Sequence, residues 1–201
     1  MIVAGLTGSI AMGKTTVADM FAALGAPVFD SDAAVRAFYR SPGAAAVEAA
    51  FPGVLETGEI NRDKLAAATL GDSEALKRLE AIVHPEVGRL RQAFLARARD
   101  EGRRVVIVDV PLLFETGGDR AVDLVLVVSA PEAAQRVRAL SRPGMGAAKL
   151  DAILARQTPD REKRRGAHFV IDTSSSLEQT RAQAAGVLRA IAAMPGRRKH
   201  A

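Results

Sequence analysis

The 201-residue chain has no cysteine, no tryptophan, one tyrosine and one asparagine. Without cysteine there is no disulfide framework, no thiolate metal site and no Cys nucleophile, a usage that suits a cytoplasmic protein. Aromatic residues are only 4% of the chain, so stacking platforms for single-stranded nucleic acid are scarce. The sole asparagine lies in Asn61-Arg62-Asp63-Lys64, so the N-K-x-D guanine reader of a nucleotide switch is absent. Long apolar runs are missing too. Those at 105–108 and 124–128 fall far short of the roughly 18 to 20 residues that cross a bilayer. No Lys or Arg precedes Lys14, so the basic n-region of a secretory signal is lacking. The expectation is a cytoplasmic chain with no membrane span and no nucleic-acid partner.

Hydrophobic residues make up 48% and charged residues 25% of the chain, the balance of a globular protein rather than a disordered one. Its length suits one compact domain with a sub-domain. The formal charge of +5 is unevenly spread. From Arg136 onward 14 Lys/Arg oppose 5 Asp/Glu, a net of +9, while the first 135 residues hold 14 against 18, a net of −4. A positive last third fits nucleic acid, a phosphorylated small molecule or solubility alone, and composition does not choose. Residues 196–201, with Arg197 to Lys199, read as a solvated tail.

The apolar run 2–6, punctuated by Gly8, predicts a buried strand. Val17, Met20, Phe21 and Leu24 then recur at helical spacing, with Gly25 placed to end the helix. Further strands at 27–29, 103–110, 124–129 and 168–172 predict an α/β fold with a five-stranded parallel sheet flanked by helices. Between 33 and 100 the pattern predicts helices and no strand, an inserted helical sub-domain. There Leu76, Leu79 and Val83 form one stripe and Pro85 opens a new helix. A helix from Pro131, capped by Ser129, puts Gln135, Arg138 and Arg142 on one face. Pro143 to Gly146 reads as a hinge, and Arg161 to Arg165 as a solvated turn. The expected organisation is a single domain over 1–201. Its core comprises 1–32, 103–135 and 166–195, with a helical insertion at 33–100 and a small helical lid at 136–165.

The segment from Gly8 to Thr15 fits G-x-x-x-x-G-K-[ST], after a strand and opening a helix, where a phosphate-binding loop must lie. Glycines let successive backbone N–H groups turn toward phosphate oxygens, and the helix N-terminus adds its positive field. Lys14 would span the β- and γ-phosphates of ATP, and the Thr15 hydroxyl would ligate Mg²⁺. Asp109, ending the valine-rich strand, fits either a Walker-B-like carboxylate that holds Mg²⁺ through water or a strand-end turn residue. Asp30 and Asp32 emerge where the second strand ends. One can orient an attacking hydroxyl, and either can cap the helix starting near Ala33. His84 before Pro85 fits a cap or packing residue as well as a catalyst. Arg138 and Arg142 fit a solvated face or cations that close over the γ-phosphate on a lid.

Taken together, these residues resemble the dephospho-coenzyme A kinase family. The likeness runs along nearly the whole chain: Gly5 to Gly8 leading into Gly13-Lys14-Thr15-Thr16, the Asp30 and Asp32 pair, His84-Pro85, the D-V-P-L-L-F-E of 109–115, Gln135 with Arg138 and Arg142, and Gln157 through Lys163 to Asp172. The resemblance implies a P-loop kinase that transfers the γ-phosphate of ATP to the ribose 3′-hydroxyl of dephospho-coenzyme A, with a nucleotide core, a helical substrate domain and a lid. Carried over by position, Gly8, Ala11, Met12, Gly13, Lys14, Thr15 and Thr16 hold the nucleotide. Asp32 orients or deprotonates the 3′-hydroxyl, with Thr7, His84, Leu112, Leu113 and Glu115 near the acceptor. Lys14, Arg138 and Arg142 meet the phosphates. Ser9 stands where the family often has a second glycine, Ala11 and Met12 where a Gly/Ser-type pair is common, and Thr173 where an asparagine commonly follows the last strand's aspartate. The loop replacements suit the cradle provided φ stays negative there. The nearest alternative is a kinase of a nucleoside monophosphate or a sugar.

Overall fold

A computed structural model describes residues 1–195; the tail expected at 196–201 lies outside the described residues. Strands β1 (Ile2–Thr7), β2 (Val28–Asp30), β5 (Val105–Asp109), β6 (Leu124–Ser129) and β7 (Phe169–Asp172) form a parallel sheet in the order β2-β5-β1-β6-β7. Their Val, Ile and Leu content suits a sheet covered on both faces. Ala4 pairs with Ile107 on one side and Leu124 on the other, and Val128 pairs with Ile171. Helices α1 (Lys14–Ala23) and α9 (Leu177–Ala193) cover the sheet, the latter opened by a capping box between Ser176 and Gln179. Leu6, Val17, Phe21, Ile107, Leu126, Ile171 and Ile191 form this core. Successive connections leave β1 toward β2 at one edge and then cross from β5 to β6 on its other side. The carboxyl end of β1 is therefore the switch point where open α/β sheets bind ligands.

The described residues divide into two compact units, 1–29 with 98–195, and 30–97. The second contains α2 (Ser31–Phe38), α3 (Ala44–Ala50), β3 (Leu55–Glu56), β4 (Glu59–Ile60), α4 (Arg62–Thr69) and most of α5 (Ser73–Asp100). Phe38, Val47, Phe51, Val54, Ile60, Leu65 and Val83 are its core. The β3–β4 hairpin overturns the expectation of no strand between 33 and 100. Thr57 (φ 48°) and Gly58 (φ 89°) are both left-handed, as a two-residue type I′ turn requires. Strands of two residues are too short to show alternation in sequence.

Pro85 does not open a helix either; it lies inside the 28-residue α5. An interior proline costs about 3 kcal/mol, which the burial of α5's apolar seam offsets. That seam is Ala75, Leu79, Ile82, Val83 and Val87, while Leu76 of the expected stripe is 47% exposed. The helix starts where the Asp72 carboxylate accepts from the N–H groups of Glu74 and Ala75.

In the first unit, α6 (Glu132–Leu140) follows Pro131 without a side-chain cap, α7 (Ala147–Leu154) follows the left-handed turn at Gly144, and α8 is Asp160–Arg165. Ser129 is not the cap of α6, because its hydroxyl donates to Asp160 Oδ2 at 2.9 Å. Arg142 lies beyond the end of α6 and so does not extend the face of Gln135 and Arg138. The basic run at 161–165 is helical rather than a solvated turn, and its Lys163 is fully buried.

Candidate active site

The loop between β1 and α1 is shaped by two glycines. A Cβ at Gly8 would stand 2.7 Å from the Val128 carbonyl oxygen, so only glycine lets the loop pass β6. Gly13 takes φ +89° and offers α1 no side-chain cap, which leaves the first-turn N–H groups of Lys14, Thr15 and Thr16 directed out of the helix start. Ala11 departs from expectation. Its φ is +61°, whereas Met12 stays outside the left-handed region. A left-handed alanine costs about 1 to 2 kcal/mol, and the surroundings hold it there. Ile10 N–H donates to Gln157 Oε1 at 3.0 Å, Gln135 Nε2 donates to the Ile10 carbonyl at 2.8 Å, and Ala11 packs with Ala139 and Leu150.

Thr173, at the carboxyl end of β7, closes the loop's other side. Its hydroxyl donates to the Met12 carbonyl at 2.8 Å and accepts from Arg138 Nη1 at 3.0 Å, and its carbonyl accepts from Arg138 Nη2 at 2.6 Å. Arg138 is therefore fixed to the sheet edge, while Arg142 is exposed in the turn after α6. Lys14 Nζ meets Asp109 Oδ1 at 2.5 Å, with side chains 16% and 6% exposed. Thr15 and Thr16 are exposed beside them in sequence. Thr7 is fully buried and donates its hydroxyl to the Pro111 carbonyl at 3.0 Å.

The P-L-L-F-E segment turns inward. Leu113 is buried with Val125 and Val127, and Leu112 is 43% exposed. Glu115 Oε1 accepts from Thr158 N–H at 2.8 Å and stands 2.9 Å from Lys163 Nζ. Burial pushes the Glu115 carboxyl up, but the Lys163 ammonium and the N–H groups of Glu115 and Thr158 outweigh it and hold it below the usual carboxylate range. Gln157 and Thr158 thus tie the stretch before α8 to the phosphate loop and to Glu115. Periodicity shows none of these ties: in the sequence Lys163 reads only as part of a basic run, and Gln157 is named only through the family resemblance.

In the second unit, Asp30 is the N-cap of α2, its Oδ1 accepting from Ala33 N–H at 2.8 Å. Asp32 is not at a strand end but exposed in the first turn of α2. It lines a groove of about 310 Å³ with Arg36, Tyr39 and Arg62, among others; these three were not read from the sequence as site residues. His84 is exposed in the middle of α5 rather than at a helix start. Among the described residues no group of three or more His, Cys, Asp or Glu side chains forms a metal cage. The hard oxygens of Thr15 and Asp109 suit Mg²⁺ that keeps its waters and phosphate ligands.

A family model described as dephospho-CoA kinase matches residues 1–179. The chain belongs to the dephospho-CoA kinase family. Among curated members, the dephospho-CoA kinase of Mesorhizobium japonicum is 56% identical over 188 residues, 94% of this chain and 95% of that protein. That of Bradyrhizobium diazoefficiens is 52% identical over 198 residues, 98% of this chain and all of that protein. The crystal structure of TT1252 from Thermus thermophilus is 35% identical with a TM-score of 0.83, over 94% of this chain and 96% of that one. The family fold is thus carried at nearly full length. Ala11 and Met12 lie in the loop between β1 and α1, and Thr173, just after β7, is hydrogen-bonded to the Met12 carbonyl.

Proposed function

We propose that the protein transfers the γ-phosphate of ATP to the ribose 3′-hydroxyl of dephospho-CoA, giving CoA and ADP, the last step of coenzyme A formation. The observation that carries this reading is the family match over 1–179 on a chain whose uncapped α1 start and Lys14 follow the central strand. The 3′-oxygen attacks the γ-phosphorus in line, the bond to the β–γ bridging oxygen breaks, ADP leaves, and the hydroxyl proton passes to Asp32 or to water. Backbone N–H groups from Gly8 to Thr16 cradle the phosphates, and Lys14 exchanges Asp109 for the β- and γ-oxygens. Thr15 and Asp109 would hold Mg²⁺ arriving with ATP, which supplies charge neutralisation at the phosphates.

A loose transition state asks more of charge stabilisation than of base catalysis, so Asp32 acts mainly by positioning the hydroxyl. Of the two arginines, Arg142, exposed and without an ion-pair partner among the described residues, meets the γ-phosphate, and Arg138, engaged by Thr173, orders the loop and nucleotide end. The lid function falls to the turn and helix over 141–154. His84 is the acceptor residue of α5. Of Thr7, Leu112, Leu113 and Glu115, Leu112 offers an exposed side chain and the others shape the site from behind. ATP use and the absence of cysteine favour the cytoplasm. Among the described residues no helix is long and apolar enough to cross a membrane.

The test is ADP release from Mg-ATP with dephospho-CoA, AMP and adenosine as separate acceptors, with the product mass confirmed. Turnover with dephospho-CoA and one added phosphate is expected. Preference for AMP would keep the phosphate loop and overturn the acceptor.

A further inference from the structure

The groove that contains Asp32 carries two arginines that the reaction, as described so far, leaves without a task. Asp32 and Arg36 are four residues apart on α2, hence neighbours on one helix face. Arg62 reaches the same groove from another element: Ile60 N–H donates to the Tyr39 carbonyl at 3.0 Å, which docks the β3–β4 hairpin on the end of α2 and sets the start of α4 beside it. Arg62 is the first residue of α4, where a cation opposes the helix field. It is exposed and has no ion-pair partner among the described residues. Arg36 has only a long, solvent-exposed contact of 3.3 Å with Asp30. Tyr39, half-buried, lines the same groove as both arginines. A residue that breaks a local rule without a structural return marks a functional position.

We infer that Arg36 and Arg62 form the subsite for the acceptor's 5′-diphosphate, with Tyr39 as its apolar wall. This rests on the kinase reading above. In dephospho-CoA the diphosphate hangs from the same ribose as the reacting 3′-hydroxyl, so a carboxylate aimed at the hydroxyl needs cations one sugar ring away. Asp32 and Arg36, on adjacent turns, meet that spacing. Two guanidinium forks match two phosphate groups, each able to accept bidentate hydrogen bonds.

The experiment is equilibrium binding of dephospho-CoA and of ATP, each alone, to the full chain and to Arg62→Gln, Arg36→Gln and Arg40→Gln. Arg40 is absent from the Asp32 groove and lines only the neighbouring one, which Arg36, Tyr39 and Arg62 also border, and it pairs with Glu59 at 2.5 Å, so it is the control for a general loss of nearby positive charge. Loss of a charge-assisted contact is expected to weaken dephospho-CoA about 10- to 100-fold for Arg62→Gln and about 10-fold for Arg36→Gln. ATP affinity and the Arg40→Gln variant should move less than about twofold. The salt dependence of dephospho-CoA binding should flatten in Arg62→Gln, which a merely structural loss would not produce. Unchanged dephospho-CoA affinity in both Arg62→Gln and Arg36→Gln, or an equal loss for ATP, overturns the assignment. If the unaltered protein binds ATP but not dephospho-CoA, the kinase reading fails first and this subsite with it.

Discussion

Two regions of the first unit bring a lysine to a carboxylate, and they do so in opposite settings. At the phosphate loop, Lys14 keeps 16% of its side chain exposed beside Asp109, on a helix whose first turn has no cap. At α8, Lys163 is wholly buried against Glu115, whose carboxylate also meets the N–H groups of Thr158 and of Glu115 itself. The first ammonium can leave its partner for a phosphate because a ligand can reach it. The second is sealed, and separating it from its partner strands a charge in the interior. Similar ion-pair distances therefore leave one lysine open to a ligand and lock the other into the interior, and exposure decides which.

The sharpest break in that comparison is Lys14→Ala. Losing one preorganised contact to a transition state costs about 3 to 4 kcal/mol, so kcat should fall at least about a hundredfold in a variant whose circular dichroism is unchanged. Near-normal turnover in that folded variant would remove the loop from the chemistry.

Glu115→Gln should act on the fold instead. A broken buried pair costs about 3 kcal/mol, or roughly 6 to 12 °C in melting temperature for a chain of this size. A melting curve that does not move would show that Lys163 finds another partner. The same pair predicts a pH dependence. Because the folded Glu115 carboxyl lies below the usual range, its contribution is present above about pH 4.3 and is lost as pH falls through the depressed value. Glu115→Gln should lack that acid loss, which stability measured from pH 6 to pH 3 would reveal.

Asp32→Asn belongs with the catalytic side but should cost less than Lys14→Ala, about tenfold in kcat, since positioning survives the change better than charge does. The reverse order in Mg²⁺-saturated variants would make Asp32 a true base. The smallest effect is expected at Thr173→Val. Losing the hydroxyl that joins Met12 to Arg138 should raise KM for ATP about threefold to tenfold with kcat nearly kept, and Thr173→Ser should restore it. Equal change in kcat would place Thr173 in the transition-state machinery.

Local chemistry written in sequence was enough for the α/β sheet, the phosphate loop and the candidate carboxylates. Short valine-rich runs bounded by Gly and Asp read as buried strands, and G-x-x-x-x-G-K-T makes a phosphate loop only where a strand precedes it and a helix follows, as both do here. Asp30 illustrates the limit. Its capping was one of two open readings, and only the start of α2 at Ser31 chose between them. Sequence also put Arg138 and Arg142 together by spacing, but the end of α6 at Leu140 separates them, and hydrogen bonds to Thr173 fix only the first.

Tertiary contacts alone decided the rest, because a contact between distant segments leaves no period in the chain. The left-handed Ala11 is set by Gln135 and Gln157, more than 120 positions away. The helix through Pro85 is set by the core it covers, and the burial of Lys163 by a glutamate 48 positions earlier. Arg36 and Arg62 share a groove because a hairpin of two-residue strands folds back on Tyr39. Residue types determined which chemistry this protein can perform, and packing determined which of several lysines, arginines and carboxylates stand where a ligand can meet them.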